Sequence, residues 1–209
     1  LIYRPSIKTK WKAIISNGFR NPNIDDVGKI RENRGYLIVP NPMLLPEYAY
    51  NFELGLTKYL KKEKNYISVQ GFTTLISRHI GRNNYPIFSD QTTSSNNTIL
   101  YNGEELITLA NNNLGNRYML GTSLDGNIFF TDKISLKGDF NIINALKNEQ
   151  YGPLPSISPV FLNLFVNYEK EKWFASLRYQ YSGSKNPEEY SLGGEDGLEE
   201  TPIISQSQG

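Results

Sequence analysis

The 209-residue chain contains no cysteine, which excludes a disulfide framework, cysteine-ligated zinc and a thiol nucleophile. Its single histidine excludes sites built from several imidazoles. No charge sign dominates: 22 Lys plus Arg stand against 21 Asp plus Glu, a net charge of +1, which argues against a nucleic-acid partner held by bulk charge. No window approaches the roughly 18 consecutive apolar residues of a transmembrane helix. The opening LIYRPSIKTK lacks the charged start and the roughly 7–15-residue apolar core of a signal peptide. Leu1 is no initiator either, so the chain reads as an excerpt of a longer protein.

What is present points to strands. Aromatic residues make up 12% of the chain, 14 of them tyrosine, and its 23 asparagines cluster between apolar segments. Tyr48, Tyr50, Phe52, Leu54 and Leu56 alternate with Ala49, Asn51, Glu53, Gly55 and Thr57, a period of two. The same alternation sets Trp173, Ala175, Leu177, Tyr179 and Tyr181 against Phe174, Ser176, Arg178, Gln180 and Ser182. It recurs at 134–142, 118–130 and 161–169, and near the start, where Trp11, Ala13 and Ile15 oppose Lys8, Lys10 and Lys12. Segment 66–78 is a less regular strand, because Phe72 and Ile76 fall among Gln70 and Thr74 on its polar side.

The connections between these seven strands alternate in length. Lys61–Asn65, Thr131–Lys133 and Lys170–Lys172 are short, whereas 20–46, 79–110 and 147–158 are long, and the chain runs out through 183–209. Outer-membrane barrels of up-and-down topology have short periplasmic turns and long extracellular loops, an asymmetry that a soluble sandwich has no reason to show. Crossing an apolar band about 25 Å tall at about 40° tilt needs roughly ten residues, close to the strand lengths here and longer than ordinary soluble strands. Aromatic residues near the short turns (Trp11, Tyr59, Phe129, Phe130, Tyr168, Trp173) would form an interfacial girdle. The expected fold is all-β: an antiparallel up-and-down transmembrane β-barrel, present in part as about seven strands of a larger closed one. Tyr50, Phe52, Leu54, Trp173, Leu177 and Tyr179 are expected toward lipid, and Lys10, Lys12, Glu53, Lys137, Asp139 and Arg178 toward the lumen. A soluble β-rich binding module, whose apolar face is simply its core, is the competing reading.

Two boxes carry a more specific signal. Residues 17–22 read NGFRNP and residues 41–53 read NPMLLPEYAYNFE, running into ELGL at 53–56. They resemble the paired boxes of TonB-dependent outer-membrane receptors, one closing an ascending strand and the other opening the next descending one. Asn41, Pro42, Leu44, Pro46 and Glu47 match the family positions, whereas Asn21 stands where alanine is usual. The segments SLRYQYSG at 176–183 and LGGEDGLEETP at 192–202 are similar to late-barrel segments of such receptors, especially Bacteroidota-type ones. The prolines of the boxes lack amide donors and suit a stiff loop between strands. The resemblance covers the whole chain. It implies a 22-stranded barrel in the outer membrane of a Gram-negative bacterium, filled by an N-terminal plug and importing a scarce nutrient with energy delivered by the TonB complex. Plug, TonB box and terminal strands lie outside this chain, and no cofactor is implied.

Ligand contacts in such receptors come from outer loops. Arg20, Lys29, Arg31, Arg34 and Tyr36 in the first long loop could meet an anionic ferric chelate, although Asp25, Asp26 and Glu32 cancel much of that charge. Arg78, His79, Arg82 and Tyr85 form a second mixed cluster, in which the histidine reads as a lumen or rim residue. The expected function is uptake of a siderophore-like chelate; a glycan or peptide importer with a surface lipoprotein is the rival on the same fold. A haem receptor fits less well, because 23–40 contains no His and only Tyr36 could offer an axial oxygen. The acidic run Glu195, Asp196, Glu199 and Glu200 lacks calcium-loop spacing. Ser182–Lys185 matches S-x-x-K without its companion motifs, and no P-loop, GxSxG or HExxH occurs, so no enzyme is expected.

Overall fold

The computed structural model describes residues 1–33, 35–60, 64–87, 97–146, 154, 157–186, 190 and 205–209. In chain order its elements are β1 (Ile2–Ser6), β2 (Thr9–Arg20), α1 (Ile24–Val27), β3 (Arg31–Asn33), β4 (Tyr36–Ile38), β5 (Glu47–Tyr59), β6 (Tyr66–Ser77) and β7 (Ile80–Asn84). There follow β8 (Thr98–Tyr101), β9 (Glu104–Asn113), β10 (Arg117–Phe129), β11 (Ile134–Ala145), β12 (Val160–Lys170), β13 (Trp173–Ser182) and β14 (Ser207–Gln208). The seven strands expected from alternation are β2, β5, β6, β10, β11, β12 and β13, of 10 to 13 residues each. They pair antiparallel in the order β1-β2-β5-β6-β10-β11-β12-β13-β14, a nine-stranded sheet that does not close.

Register fixes the two faces across the whole sheet. Ala13 pairs with Leu54 and Leu54 with Gly71, while Ile14 pairs with Glu53 and Glu53 with Phe72. Each step of one residue therefore exchanges faces, and every side chain of one parity falls on the same side. The apolar side is the exposed one: Tyr50, Phe52 and Leu54 are 49%, 47% and 46% accessible, and Ile15 reaches 85%. Their polar neighbours Asn51 and Glu53 are half-buried, and Gly55 and Thr57 are buried. The buried apolar residues lie elsewhere: Leu37, Val39, Leu106 and Ala110, with Tyr85 and Ile99 packed on them, form a small core in the long connections. A soluble β domain places its apolar stripe inside, so this inversion counts against the soluble reading. Among the described residues no helix is long and apolar enough to cross a membrane.

The long connections contain structure that alternation did not reveal. Connection 20–46 holds α1, β3 and β4, and connection 79–110 holds β7, β8 and most of β9; together their strands form a five-stranded sheet centred on β9, with β4 running parallel to it. The β8–β9 hairpin turns on Asn102 (φ 51°) and Gly103 (φ 88°), the pair that a two-residue turn with positive φ at both positions favours. Two further expectations are corrected, and one strand is added. Tyr59 and Phe129 do not join an outward girdle: by register they share the polar face, where Lys10 lies 6.0 Å from the Tyr59 ring and Lys64 5.7 Å from the Phe129 ring. The chain opens with an unexpected edge strand, β1, whose register shifts between Tyr3 and Ser6, around the donor-less Pro5. After Ser182 the chain does not end in loop but returns, with Tyr181 opposite Gln208 and Ser182 opposite Ser207.

The face assignment yields a direct test in the intact protein. Leu54→Lys, in the middle of β5 on the apolar side, is expected to cost about 2–4 kcal/mol of barrel stability. Ile14→Lys, opposite Glu53 on the polar side, is expected to cost much less. The folded fraction in outer-membrane extracts, read from heat-modifiable gel mobility, distinguishes them; equal losses would refute the assignment.

Candidate functional site: the polar face and the rim of long loops

The polar face carries two hydrogen-bonded groups of side chains. Glu53 accepts from Asn51 Nδ2 at 2.7 Å and from Gln70 Nε2 at 2.8 Å, and Thr74 Oγ1 donates to Asn51 Oδ1 at 2.8 Å. A second group spans β10 to β13: Ser123 donates to Asn141 at 2.6 Å, Asn163 to Asp139 at 3.0 Å and Arg178 Nη2 to Asn163 Oδ1 at 2.9 Å. The Arg178 guanidinium also lies 5.3 Å from the Phe165 ring. Register puts Lys10, Lys12, Glu53, Lys137, Asp139 and Arg178 on this one face, in two groups separated by β6 and β10. Lys10 and Lys12 line a cavity of about 310 Å³ with Tyr59, Tyr66, Ser68 and Asp125. The irregularity of β6 has a local cause: an added Cβ at Gly121 would lie 2.2 Å from the Phe72 ring, so that glycine makes room for an aromatic ring among polar neighbours.

At the other end, the two boxes are locked to β9 by three consecutive asparagines. Arg20, from NGFRNP, donates through Nη2 to both Asp26 oxygens at 2.9 and 2.8 Å. Asp26, only 4% exposed, also accepts from the Asn23 amide at 2.9 Å and from Asn111 Nδ2 at 2.7 Å, while Asn23 caps α1 by accepting from the Asp26 amide. Asn41, from the second box, donates to the Asn111 carbonyl at 2.9 Å and to Asn112 Oδ1 at 3.1 Å. Asn113 accepts from the Leu45 amide and donates to the carbonyls of Leu45 and Arg78, each at 2.9 Å. Glu47 closes the knot, meeting His79 Nδ1 at 2.9 Å and the Ile80 amide at 2.7 Å.

The candidate ligand residues are distributed as follows. Tyr36, Arg82 and Tyr85 belong to the small sheet or its margin: Tyr36 pairs with Ile107, Arg82 with Asn111, and the Tyr85 ring packs on the small core. Arg31 sits exposed on the outer strand β3. Arg20 is committed to Asp26 and Lys29 to Asp25, at 3.1 Å. Arg34 and the acidic run Glu195, Asp196, Glu199 and Glu200 lie outside the described residues. Ser182 ends β13 and Lys185 Nζ donates to the Leu154 carbonyl at 3.1 Å, so S-x-x-K opens no helix. Among the described residues no three His, Asp or Glu side chains gather as a metal-binding group. Sequence reasoning missed Asn111, Asn112, Asn113 and the central role of Asp26. The visible signals were the Asn-Asn-Asn run itself and the N-x-x-D spacing of a capped turn at 23–26.

A one-layer sheet of 10- to 13-residue strands, apolar on its exposed side and hydrogen-bonded on the other, with short turns at one end and folded loops at the other, is a section of a transmembrane β-barrel. The description "TonB dependent receptor-like, beta-barrel" matches residues 1–198. The chain belongs to this family of Gram-negative outer-membrane barrels. Similar solved structures include a siderophore receptor from Acinetobacter baumannii (15% identity, TM-score 0.68). A mutant ferric enterobactin receptor from Pseudomonas aeruginosa, solved with enterobactin, gives 13% identity and a TM-score of 0.75. A copper transporter gives 13% and 0.66. Each likeness covers 99% of this chain but only 29–32% of the solved one, so the chain spans about a third of those proteins. No curated protein sequence matches.

The knot predicts a sharp contrast between neighbouring aspartates. Asp26→Ala removes the acceptor for three partners and is expected to destabilise the rim by about 2–4 kcal/mol, given the worth of hydrogen bonds to a buried charge. Asp25→Ala, whose pair with Lys29 is exposed, is expected to cost about 0–1 kcal/mol. Amide exchange at 20–46 and 104–113 in the intact protein reads both; equal protection in the two variants would refute the central role of Asp26.

Proposed function

We propose that this chain is part of an outer-membrane receptor that takes up a ferric siderophore-like chelate at its extracellular loops and imports it with energy supplied through TonB, as a transporter and not an enzyme. The observation that supports this most directly is the organised rim. The long connections are held by their own apolar core and asparagine knot, and they carry Arg31, Tyr36 and Arg82 on one small sheet. Arginine donors and aromatic rings suit an anionic chelate with aromatic and carbonyl oxygens. The siderophore and enterobactin named for two of the similar structures support the same ligand class. In this reading Lys10, Lys12, Glu53, Lys137, Asp139 and Arg178 line the lumen and meet the plug domain. The polar face then separates the plug from lipid, with Arg20 and Glu47 stiffening the rim rather than binding the ligand.

Deleting the parent gene and supplying single ferric siderophores as the iron source tests the proposal. Growth should be lost on at least one chelate and restored by the intact gene. Arg31→Ala combined with Arg82→Ala should lower uptake of that chelate about tenfold or more, the loss expected for two charged hydrogen-bonding groups. Unchanged growth on every chelate, with loss instead on haem, copper or a glycan, would overturn the ligand class.

A further inference from the structure

The cations of this chain are sorted by type between the two ends of the sheet. At the short-turn end, Lys8 lies in the β1–β2 turn, Lys58 near the end of β5, Lys64 just before β6 and Lys133 just before β11, and Lys170 and Lys172 flank the β12–β13 turn; all six are exposed. Lys61 and Lys62 belong to the same end by sequence and lie outside the described residues. At the long-loop end the described cations are chiefly arginines: Arg20, Arg31, Arg78, Arg82 and Arg117. The short-turn lysines form one strip, because the Lys8 carbonyl accepts from the Tyr59 amide at 2.8 Å and the Lys133 carbonyl from the Glu169 amide at 2.8 Å. Among the described residues Asp132, Glu169 and Glu171 oppose them there, and Glu63, outside the described residues, belongs to the same end by sequence; lysines still outnumber acids, which leaves the strip basic.

Two of these lysines lie on the apolar face itself. Lys58 shares the parity of Leu54 and Leu56 and pairs with Thr9, two residues from Trp11; its Nζ donates to Thr9 Oγ1 at 3.0 Å. Lys170 follows Val166 and Tyr168 on the same side and pairs with Trp173, which is 78% exposed. Each closes an apolar row with a four-carbon stem and an ammonium group, the arrangement by which lysine reaches from hydrocarbon into a headgroup layer. At the opposite end the outward positions Phe19, Tyr48 and Tyr118 carry no cation. A soluble acidic protein could reach the turns but not Lys58 and Lys170, which lie beside the exposed Trp11, Tyr168 and Trp173. The short turns of such barrels face the periplasm, so the occupant belongs to the inner leaflet.

We propose that this lysine strip, with the aromatic residues beside it, binds the phosphate headgroups of anionic phospholipid in the periplasmic leaflet and so fixes the depth of the barrel. The inference rests on the membrane placement of the barrel and is independent of the proposed cargo. The test uses the intact receptor, purified into nanodiscs of phosphatidylethanolamine with phosphatidylglycerol, with retained lipid counted by native mass spectrometry. Wild type should retain phosphatidylglycerol preferentially. The combined variant Lys58→Gln, Lys133→Gln, Lys170→Gln and Lys172→Gln should lower that preference about threefold or more, as expected for loss of several lysines near an anionic surface. The same four positions changed to Arg should keep most of it. Heat-modifiable mobility, measured alongside, shows whether each barrel is inserted; a barrel that fails to insert as wild type speaks against the membrane placement, not against the lipid site. If the fourfold Gln variant does not fold, Lys58→Gln and Lys170→Gln are measured singly. Equal retention of both lipids by wild type would overturn the proposal. So would unchanged retention in a folded Gln variant, or loss only of an acidic periplasmic protein with lipid retention intact.

Discussion

The structure depends on one constraint: a backbone crossing hydrocarbon must find every hydrogen-bond partner within the protein. The unbroken antiparallel ladder from β2 to β13 meets that demand strand by strand. Once the ladder is continuous, its two faces are free to meet different surroundings, and the period of two along each strand sorts side chains between them. The exposed Ile15, Phe52 and Leu54 would be a liability in water and are an asset against lipid chains. The open edges at β1 and β14 have no such protection, and in a membrane further strands must cover them.

Apolar burial therefore plays a secondary part in the large sheet and a primary one above it. Beyond the apolar band, the described parts of the long connections pack on a small core of their own, Leu37, Val39, Leu106 and Ala110. What joins the two regimes is polar: Asp26, Asn41, Glu47 and the three asparagines of β9 tie the ends of β2 and β5 to the small sheet. Asparagine suits this place because one side chain both donates and accepts, so a loop carbonyl and a loop amide are satisfied by a single residue, as Asn113 does for Leu45. The boxes thus position the rim of long connections.

The two ends of the barrel also differ in how they treat charge. At the long-loop end Arg20 is held by directed hydrogen bonds to Asp26, whereas the lysines of the short-turn end stand exposed. That division follows from side-chain chemistry, since a guanidinium offers a planar set of donors and an ammonium a flexible point charge. It gives the sheet a polarity along the membrane normal that the net charge of +1 conceals.

Alternation over Tyr48–Thr57 and Trp173–Ser182, together with short and long connections in turn, determined the seven strands, their faces and the barrel class, because a period of two is a local property written directly in the chain. The boxes at 17–22 and 41–53 determined the family for the same reason. The small sheet was not legible: Leu106, Ile107, Leu109 and Ala110 break strict alternation, although Asn102-Gly103 marked the hairpin before them. Nor was the outward or inward sense of Tyr59 and Phe129, which lie at strand ends where one residue of register decides the face. Only the tertiary structure could bring Asn111 to Asp26 and Glu47 to His79, 85 and 32 residues apart in sequence. Such pairings depend on how folded loops pack over a barrel end, and no local period encodes that.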